Sequence, residues 1–171
     1  MDATAHYRNL VTLGRAEFLA AAAPAALVRI RAPEEREEEP AVSTHTIQRV
    51  DLDLATPRGA HAQGPEELEL YPLAKKAGAS FPDRITIGRT SNNDIVIADH
   101  SVSRLHAYMK QDGRHWVVAD AGSKNGSSLE GEALLARKER PLGSKTRLRL
   151  GDVDLTFYLT TDLFAVLGGI G

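Results

Sequence analysis

Three short polar clusters hold most of the side chains in this chain that could bind or react. They are Gly88-Arg89-Thr90-Ser91-Asn92-Asn93-Asp94, Ser101-Val102-Ser103-Arg104-Leu105-His106 and Gly122-Ser123-Lys124-Asn125-Gly126. Each is rich in hydrogen-bond donors, and loops on a rigid scaffold are where binding residues usually lie. If alternate loops meet at one end of a β scaffold, Arg89, Ser103, Arg104, Lys124 and Asn125 converge. Such a group offers donors and positive charge but no base, which suits a phosphate better than a reaction. Ser103, His106 and Asp99 or Asp120 have the residue types of a hydrolytic triad. No Gly-x-Ser-x-Gly elbow accompanies them, however, and a triad is defined by geometry, not by presence. The segment from Gly122 to Ser127 lacks the Gly-Lys-Ser/Thr ending of a phosphate-binding Walker loop. No His-x-x-x-His pair or carboxylate cluster points to a metal. The expectation is a binding module with no catalysis, no metal and no cofactor.

The elements that must position these clusters are legible as strands. Runs rich in Ile, Val and Leu recur at Leu68–Tyr71, Arg84–Ile87, Ile95–Ile97, His106–Met109, Trp116–Ala119, Arg147–Leu150 and Val153–Leu159. Several alternate with period two, and Asp112-Gly113 and Gly151-Asp152 sit between runs as hairpin turns. Such spacing predicts a sandwich or barrel over residues 68–160, not βαβ units. Trp116 reads as a core residue.

Residues 1–31 read as an N-terminal extension. Tyr7, Leu10, Val11, Phe18 and Leu19 partly match helical spacing up to Pro24, and Ala26–Arg31 alternates as a short strand would. Residues 32–67 read as an acidic, Pro-rich linker. Five glutamates lie between Pro33 and Pro40, and only Ser43–Leu54 offers a possible edge strand. Residues 161–171 read as a short helix, Thr161–Leu167, stopped by Gly168.

The balance of the 171-residue chain limits its partners. A net charge of −2 argues against a dedicated nucleic-acid binder. Yet residues 84–150 hold 12 Lys and Arg against 7 Asp and Glu, so the β region is locally basic inside an acidic chain. The apolar run Phe18–Ile30 is interrupted by Pro24 and Arg29 and falls short of the ~20 residues a membrane span needs. The chain has no cysteine, which excludes disulfides and thiol catalysis. These features predict a cytoplasmic protein with no membrane and no nucleic-acid partner.

The same clusters carry a family resemblance. Ile85-Thr86-Ile87-Gly88-Arg89, Asn93-Asp94-Ile95-Val96-Ile97, Val102-Ser103-Arg104-Leu105-His106-Ala107 and Asp120-Ala121-Gly122-Ser123-Lys124-Asn125-Gly126 resemble the forkhead-associated (FHA) domain in order and spacing. The Gly151-Asp152 turn before Leu155-Thr156-Phe157 is similar to that family's closing hairpin. The resemblance implies an all-β sandwich of about eleven strands, here with short helical N- and C-terminal extensions, whose loops bind phosphothreonine peptides. By position, it implies that Arg89 pairs with the phosphate, Ser103 donates its hydroxyl to it and Asn125 holds the peptide backbone. Lys124 stands where the family often has a threonine or another polar residue, and Arg104 would reach the phosphate or an acidic residue of the ligand. Gly88, Asn93, Asp94, His106 and Gly126 would brace the loops, the two glycines by turning the backbone.

The resemblance also implies a bacterial signalling adaptor. It would bind a phosphothreonine-containing protein downstream of a Ser/Thr protein kinase. The alternative is a phosphate-independent interaction or scaffold module, for example in a secretion assembly.

Overall fold

A computed structural model describes residues 2–31, 67–79 and 81–169. One compact unit contains residues 1–30 and 68–171; residues 31–67 form a second, of which only Arg31 and Glu67 are described. The linker expected at 32–67 and the possible strand within Ser43–Leu54 therefore lie almost wholly outside the described residues.

The described strands form two sheets. Six of them pair in the order β2(Glu67–Pro72), β1(Ala25–Arg31), β11(Val153–Leu159), β10(Thr146–Leu150), β7(Ser127–Leu129) and β8(Glu132–Ala133). The other five run β4(Ile95–Val96), β3(Ile85–Gly88), β5(Ala107–Asp112), β6(His115–Asp120) and β9(Arg140–Leu142). The fold is thus the expected β-sandwich, with eleven strands among the described residues.

Period-two alternation builds the core between the sheets. Ile85 and Ile87 on β3, Ala107 and Met109 on β5, Trp116 and Val118 on β6 meet Ala25 and Leu27 on β1, Leu148 and Leu150 on β10 and Leu155 and Phe157 on β11. The Trp116 ring lies 5.9 Å from that of Phe157.

Residues 25–31, assigned by sequence to an extension, lie inside the sandwich. Ala25 pairs with Leu159 and Val28 with Thr156, so β1 sits between β2 and β11 in the six-stranded sheet. Its alternate residues Ala26 and Val28 face the other way, into a second apolar cluster with Tyr7, Leu10, Phe18, Leu70, Leu163 and Phe164. This cluster belongs to three helices, α1(Ala3–Leu13), α2(Arg15–Ala21) and α3(Thr160–Val166), which cover that part of the sheet.

Local chemistry starts and stops the helices. The Asp2 side chain accepts from the Thr4 N–H at 3.0 Å and caps α1, and Gly14 at φ 107 breaks the chain before α2. The Tyr7 hydroxyl accepts from the Ala23 N–H at 2.9 Å, while the Thr4 hydroxyl accepts from the Leu70 N–H at 3.0 Å. No helix among the described residues is long and apolar enough to cross a membrane.

Candidate functional site

The three polar clusters fall on the β3–β4, β4–β5 and β6–β7 connections, and hydrogen bonds tie them to one another. The Arg89 N–H donates to the Ser103 carbonyl at 3.0 Å, and the Lys124 N–H donates to the Ser103 hydroxyl at 3.0 Å. Ser103 therefore touches both of the other loops. The structure brings Arg89, Ser103, Arg104, Lys124 and Asn125 to one end of the sandwich.

His106 is the hub beneath them, fully buried. Its Nδ1 accepts from the Ser103 N–H at 2.9 Å, which requires Nε2 to carry the proton and donate to the Gly126 carbonyl, also at 2.9 Å. The Gly126 carbonyl also accepts from the Gly151 N–H at 3.0 Å, which brings the β10–β11 hairpin into the same frame. Both imidazole nitrogens are thus spent on backbone. The Ser103 hydroxyl meets the Lys124 N–H and not the ring, so Ser103 and His106 do not form a nucleophile and base.

The first loop is braced by Asn93, only 2% exposed, whose amide donates to the Arg104 carbonyl at 2.6 Å and the Thr90 carbonyl at 2.9 Å. Thr90 adds a bond of its own from its hydroxyl to the Arg104 carbonyl at 3.0 Å. Asp94 turns away from the site. Its carboxylate takes Lys75 Nζ at 2.7 Å, the Lys76 N–H at 2.7 Å and the Thr86 N–H at 2.9 Å. Burial acts to raise its pKa, but these donors outweigh burial and hold it below the ordinary carboxylate value.

Sequence reading expected Gly88 to turn the backbone, and the structure gives it a different task. It ends strand β3, paired with Val96, and a Cβ there would lie 2.1 Å from the Arg104 carbonyl oxygen and 2.7 Å from Asn93 Nδ2. Glycine is needed here for close approach. Gly126, at φ 80, is a turn former as expected.

The third loop rests on Asp120. Its carboxylate accepts from the Gly122 and Ser123 N–H groups at 2.9 Å each, from the Ser127 hydroxyl at 2.6 Å and from the Ser123 hydroxyl. Burial again pushes this pKa up, and the serine and backbone donors override it and hold it low. Asn125 Nδ2 donates to the Ser101 carbonyl at 2.8 Å. Ser101 is itself pinned through its N–H and hydroxyl to Asp99 at 2.9 and 2.7 Å, and Asp99 lies 3.6 Å from the Arg29 guanidinium on β1.

The bracing roles of Thr90, Ser101 and Asp120 were not assigned from sequence. An Asp three residues before a Ser in a Gly-containing loop is the one signal that could have found Asp120.

What is left unspent defines the chemistry. The side chains of Arg89, Arg104 and Lys124 are exposed and make no hydrogen bond or ion pair among the described residues. The Ser103 hydroxyl accepts one bond but donates none there. A rigid frame thus presents three free cations and a free hydroxyl donor at one end of the sandwich.

Comparison with known proteins agrees with this geometry. Residues 75–160 match the family described as the inner membrane component of T3SS, cytoplasmic domain, an FHA-type domain. The chain is 29% identical to protein FraH of Nostoc sp. over 116 residues, covering 65% of this chain and 38% of FraH. It is 30% identical to the FHA domain-containing protein FhaB of Mycobacterium tuberculosis over 71 residues, covering 42% of this chain and 46% of FhaB. The chain thus matches less than half the length of either relative. Among solved structures, the FHA domain of the CT664 protein from Chlamydia trachomatis is 19% identical, with coverage of 78% of this chain and 96% of that one and a TM-score of 0.48. Mycobacterium tuberculosis EmbR in complex with a low affinity phosphopeptide is 31% identical, with coverage of 53% and 22% and a TM-score of 0.45. With the motifs, the sandwich and the family match over half of the chain in agreement, this chain belongs to the forkhead-associated family.

Proposed function

We propose that this protein is a phosphothreonine-peptide-binding adaptor that acts downstream of a Ser/Thr protein kinase. The observation that carries the reading is the set of unpaired donors at one end of the sandwich, Arg89, Arg104, Lys124 and the Ser103 hydroxyl, on loops already locked by His106. A phosphothreonine carries about −1.5 to −2 charge at neutral pH, and bonds from a guanidinium to such a group are among the stronger ones in proteins. Arg89 pairs with the phosphate and Ser103 donates its free hydroxyl hydrogen to it. Asn125, oriented by the Ser101 carbonyl, keeps its amide oxygen for the peptide backbone. Lys124 adds charge, and Arg104 reaches the phosphate or a nearby carboxylate of the ligand. Gly88, Asn93, Asp94, His106 and Gly126 hold the loops and do not touch ligand.

The test is binding of a degenerate phosphothreonine library beside its unphosphorylated twin. Binding should need the phosphate and should fall by about 10- to 100-fold in Arg89→Ala, the loss expected for hydrogen bonds to a charged group. Equal binding of the two libraries, or an unaffected mutant, rejects the reading. One observation favours a second reading, a phosphate-independent part of a larger assembly: the family match is to the cytoplasmic domain of a secretion-system component. In that case the wild type would ignore the phosphate.

A further inference from the structure

An ion cluster sits where the core meets the β4–β5 connection. Arg29 follows Ala25 and Leu27 on the inner face of β1, where those two residues enter the apolar core. Its side chain is 16% exposed and lies between two carboxylates, 4.0 Å from Glu69 on β2 and 3.6 Å from Asp99 on the β4–β5 connection. The Tyr71 hydroxyl donates to Glu69 at 2.6 Å; burial and that carboxylate push the phenol up to about 12, so it stays protonated. Removing such charges from water offsets most of their attraction, so the cluster is a weak source of stability. What it can supply is geometry.

The two oxygens of Asp99 divide the work. Oδ2 faces the Arg29 guanidinium, while Oδ1 accepts from the Ser101 N–H at 2.9 Å and from the Ser101 hydroxyl at 2.7 Å. The Ser101 donors, with the Arg29 charge adding to them, hold the Asp99 carboxyl below the ordinary carboxylate value. Ser101 is buried and is held from a second side as well. Its hydroxyl accepts from the Asp152 N–H at 2.9 Å, and a Cβ on Gly151 would lie 2.3 Å from its carbonyl oxygen. That carbonyl is the one that receives Asn125 Nδ2 at 2.8 Å. A continuous path therefore runs from β1 to the binding loops: the Arg29 guanidinium, the Asp99 carboxylate, Ser101 and the Asn125 amide. With Nδ2 committed to Ser101, the direction of the Asn125 amide oxygen is set.

We infer that Arg29 is a positioning residue for peptide binding: by fixing the Asp99 carboxylate it holds the Ser101 carbonyl, and through it the orientation of the Asn125 amide. The inference rests on the phosphothreonine reading, in which Asn125 meets the ligand backbone, and adds to it a residue of β1 that touches no ligand. An asparagine cannot do the work of Asp99 here. Its side chain has one oxygen, so either Arg29 or the Ser101 donors would face an NH2 group.

The experiment uses the full chain and a fluorescent phosphothreonine peptide selected from the degenerate library, beside its unphosphorylated twin. Arg29→Met should weaken binding about three- to thirtyfold, the range for residues that act on a site without touching it. In an Asn125→Ala background the same substitution should change affinity by less than about twofold, because the group it positions is gone. Asp99→Asn should repeat both results, and Arg29→Lys, which keeps the charge, should bind between the wild type and Arg29→Met. In the ligand-free protein, the NMR signals of the Asn125 side-chain amide should move in Arg29→Met and Asp99→Asn. If Arg29→Met does not fold, Asp99→Asn and Arg29→Lys decide the comparison by the same factors. Wild-type affinity in Arg29→Met, or an equal loss with and without Asn125, overturns the inference, while phosphate-dependent binding by the wild type leaves the phosphothreonine reading in place. A wild type that ignores the phosphate overturns both.

Discussion

The loop end of the sandwich and its helix-covered flank are stabilised by opposite means. Under the helices, Phe18, Leu163, Ala26 and Val28 exclude water, and the rings of Phe18 and Phe164 meet edge-on at 5.3 Å. At the loop end the organising groups are polar: the His106 ring, the Asn93 amide and the Asp120 carboxylate are all buried and each serves several backbone partners. Apolar contact is non-directional and tolerates small shifts, whereas a fully satisfied buried polar network is directional and rigidifies what it holds. A site that must present cations in a set geometry uses the second means, and a layer that only has to cover a sheet uses the first.

Breaking the apolar layer should give the largest effect on stability. Phe18→Ala removes a fully buried ring and is expected to cost about 3–5 kcal/mol, read from urea unfolding. Phosphopeptide affinity measured well below the new melting temperature should stay within a factor of two, because no bond of the loop frame passes through Phe18. A large affinity loss would mean that the two regions are coupled.

Gly88→Ala tests the polar frame from the opposite side. The new methyl meets the Arg104 carbonyl and the Asn93 amide, so stability should fall by about 1–3 kcal/mol, typical of overpacking. Phosphopeptide binding should be lost along with it. A variant that keeps full affinity would show that the Arg104 carbonyl can move freely.

Acid should separate the regions more gently. The folded pKa values of Asp94 and Asp120 are lowered. The stability these carboxylates contribute is therefore complete above the unfolded carboxylate range and is lost as pH falls through their folded values, below about 3.8. Unfolding curves should show a steeper loss of stability at low pH in the wild type than in Asp120→Asn, whose starting stability is already reduced.

The same contrast explains how much was readable in sequence. Strands β3, β5, β6, β10 and β11 announce themselves by β-branched and aliphatic alternation, and the Gly-Arg, Ser-x-x-His and Asn-Gly groups lie on the loops where they were expected. Strands β7, β8 and β9 did not show. Ser-Ser-Leu, Glu-Ala and Arg-Pro-Leu carry no apolar period, and they are strands only because β10 offers an edge to β7, β7 to β8 and β6 to β9. β1 was seen as a strand but placed outside the sandwich, since its partner β11 lies over a hundred residues away in the sequence. Gly88 was read as a turn because local sequence says nothing of the Arg104 carbonyl packed against it.

The pairing of β1 with β11 also bears on how the molecule comes into being. Val28 lies beside Thr156 and Ala25 beside Leu159, so an early segment of the chain occupies an inner place in a sheet completed by a late one. During synthesis from the N-terminus, one hydrogen-bonding edge of Ala25–Arg31 has no partner until Val153–Leu159 leaves the ribosome. Helices α1 and α2 can form earlier, but the apolar layer they build needs Leu163 and Phe164 and waits for the same event. Folding of this domain is therefore governed by long-range closure, the kind of topology that orders slowly, and the Gly126 carbonyl gains its bond from the Gly151 N–H only when the β10–β11 hairpin has docked.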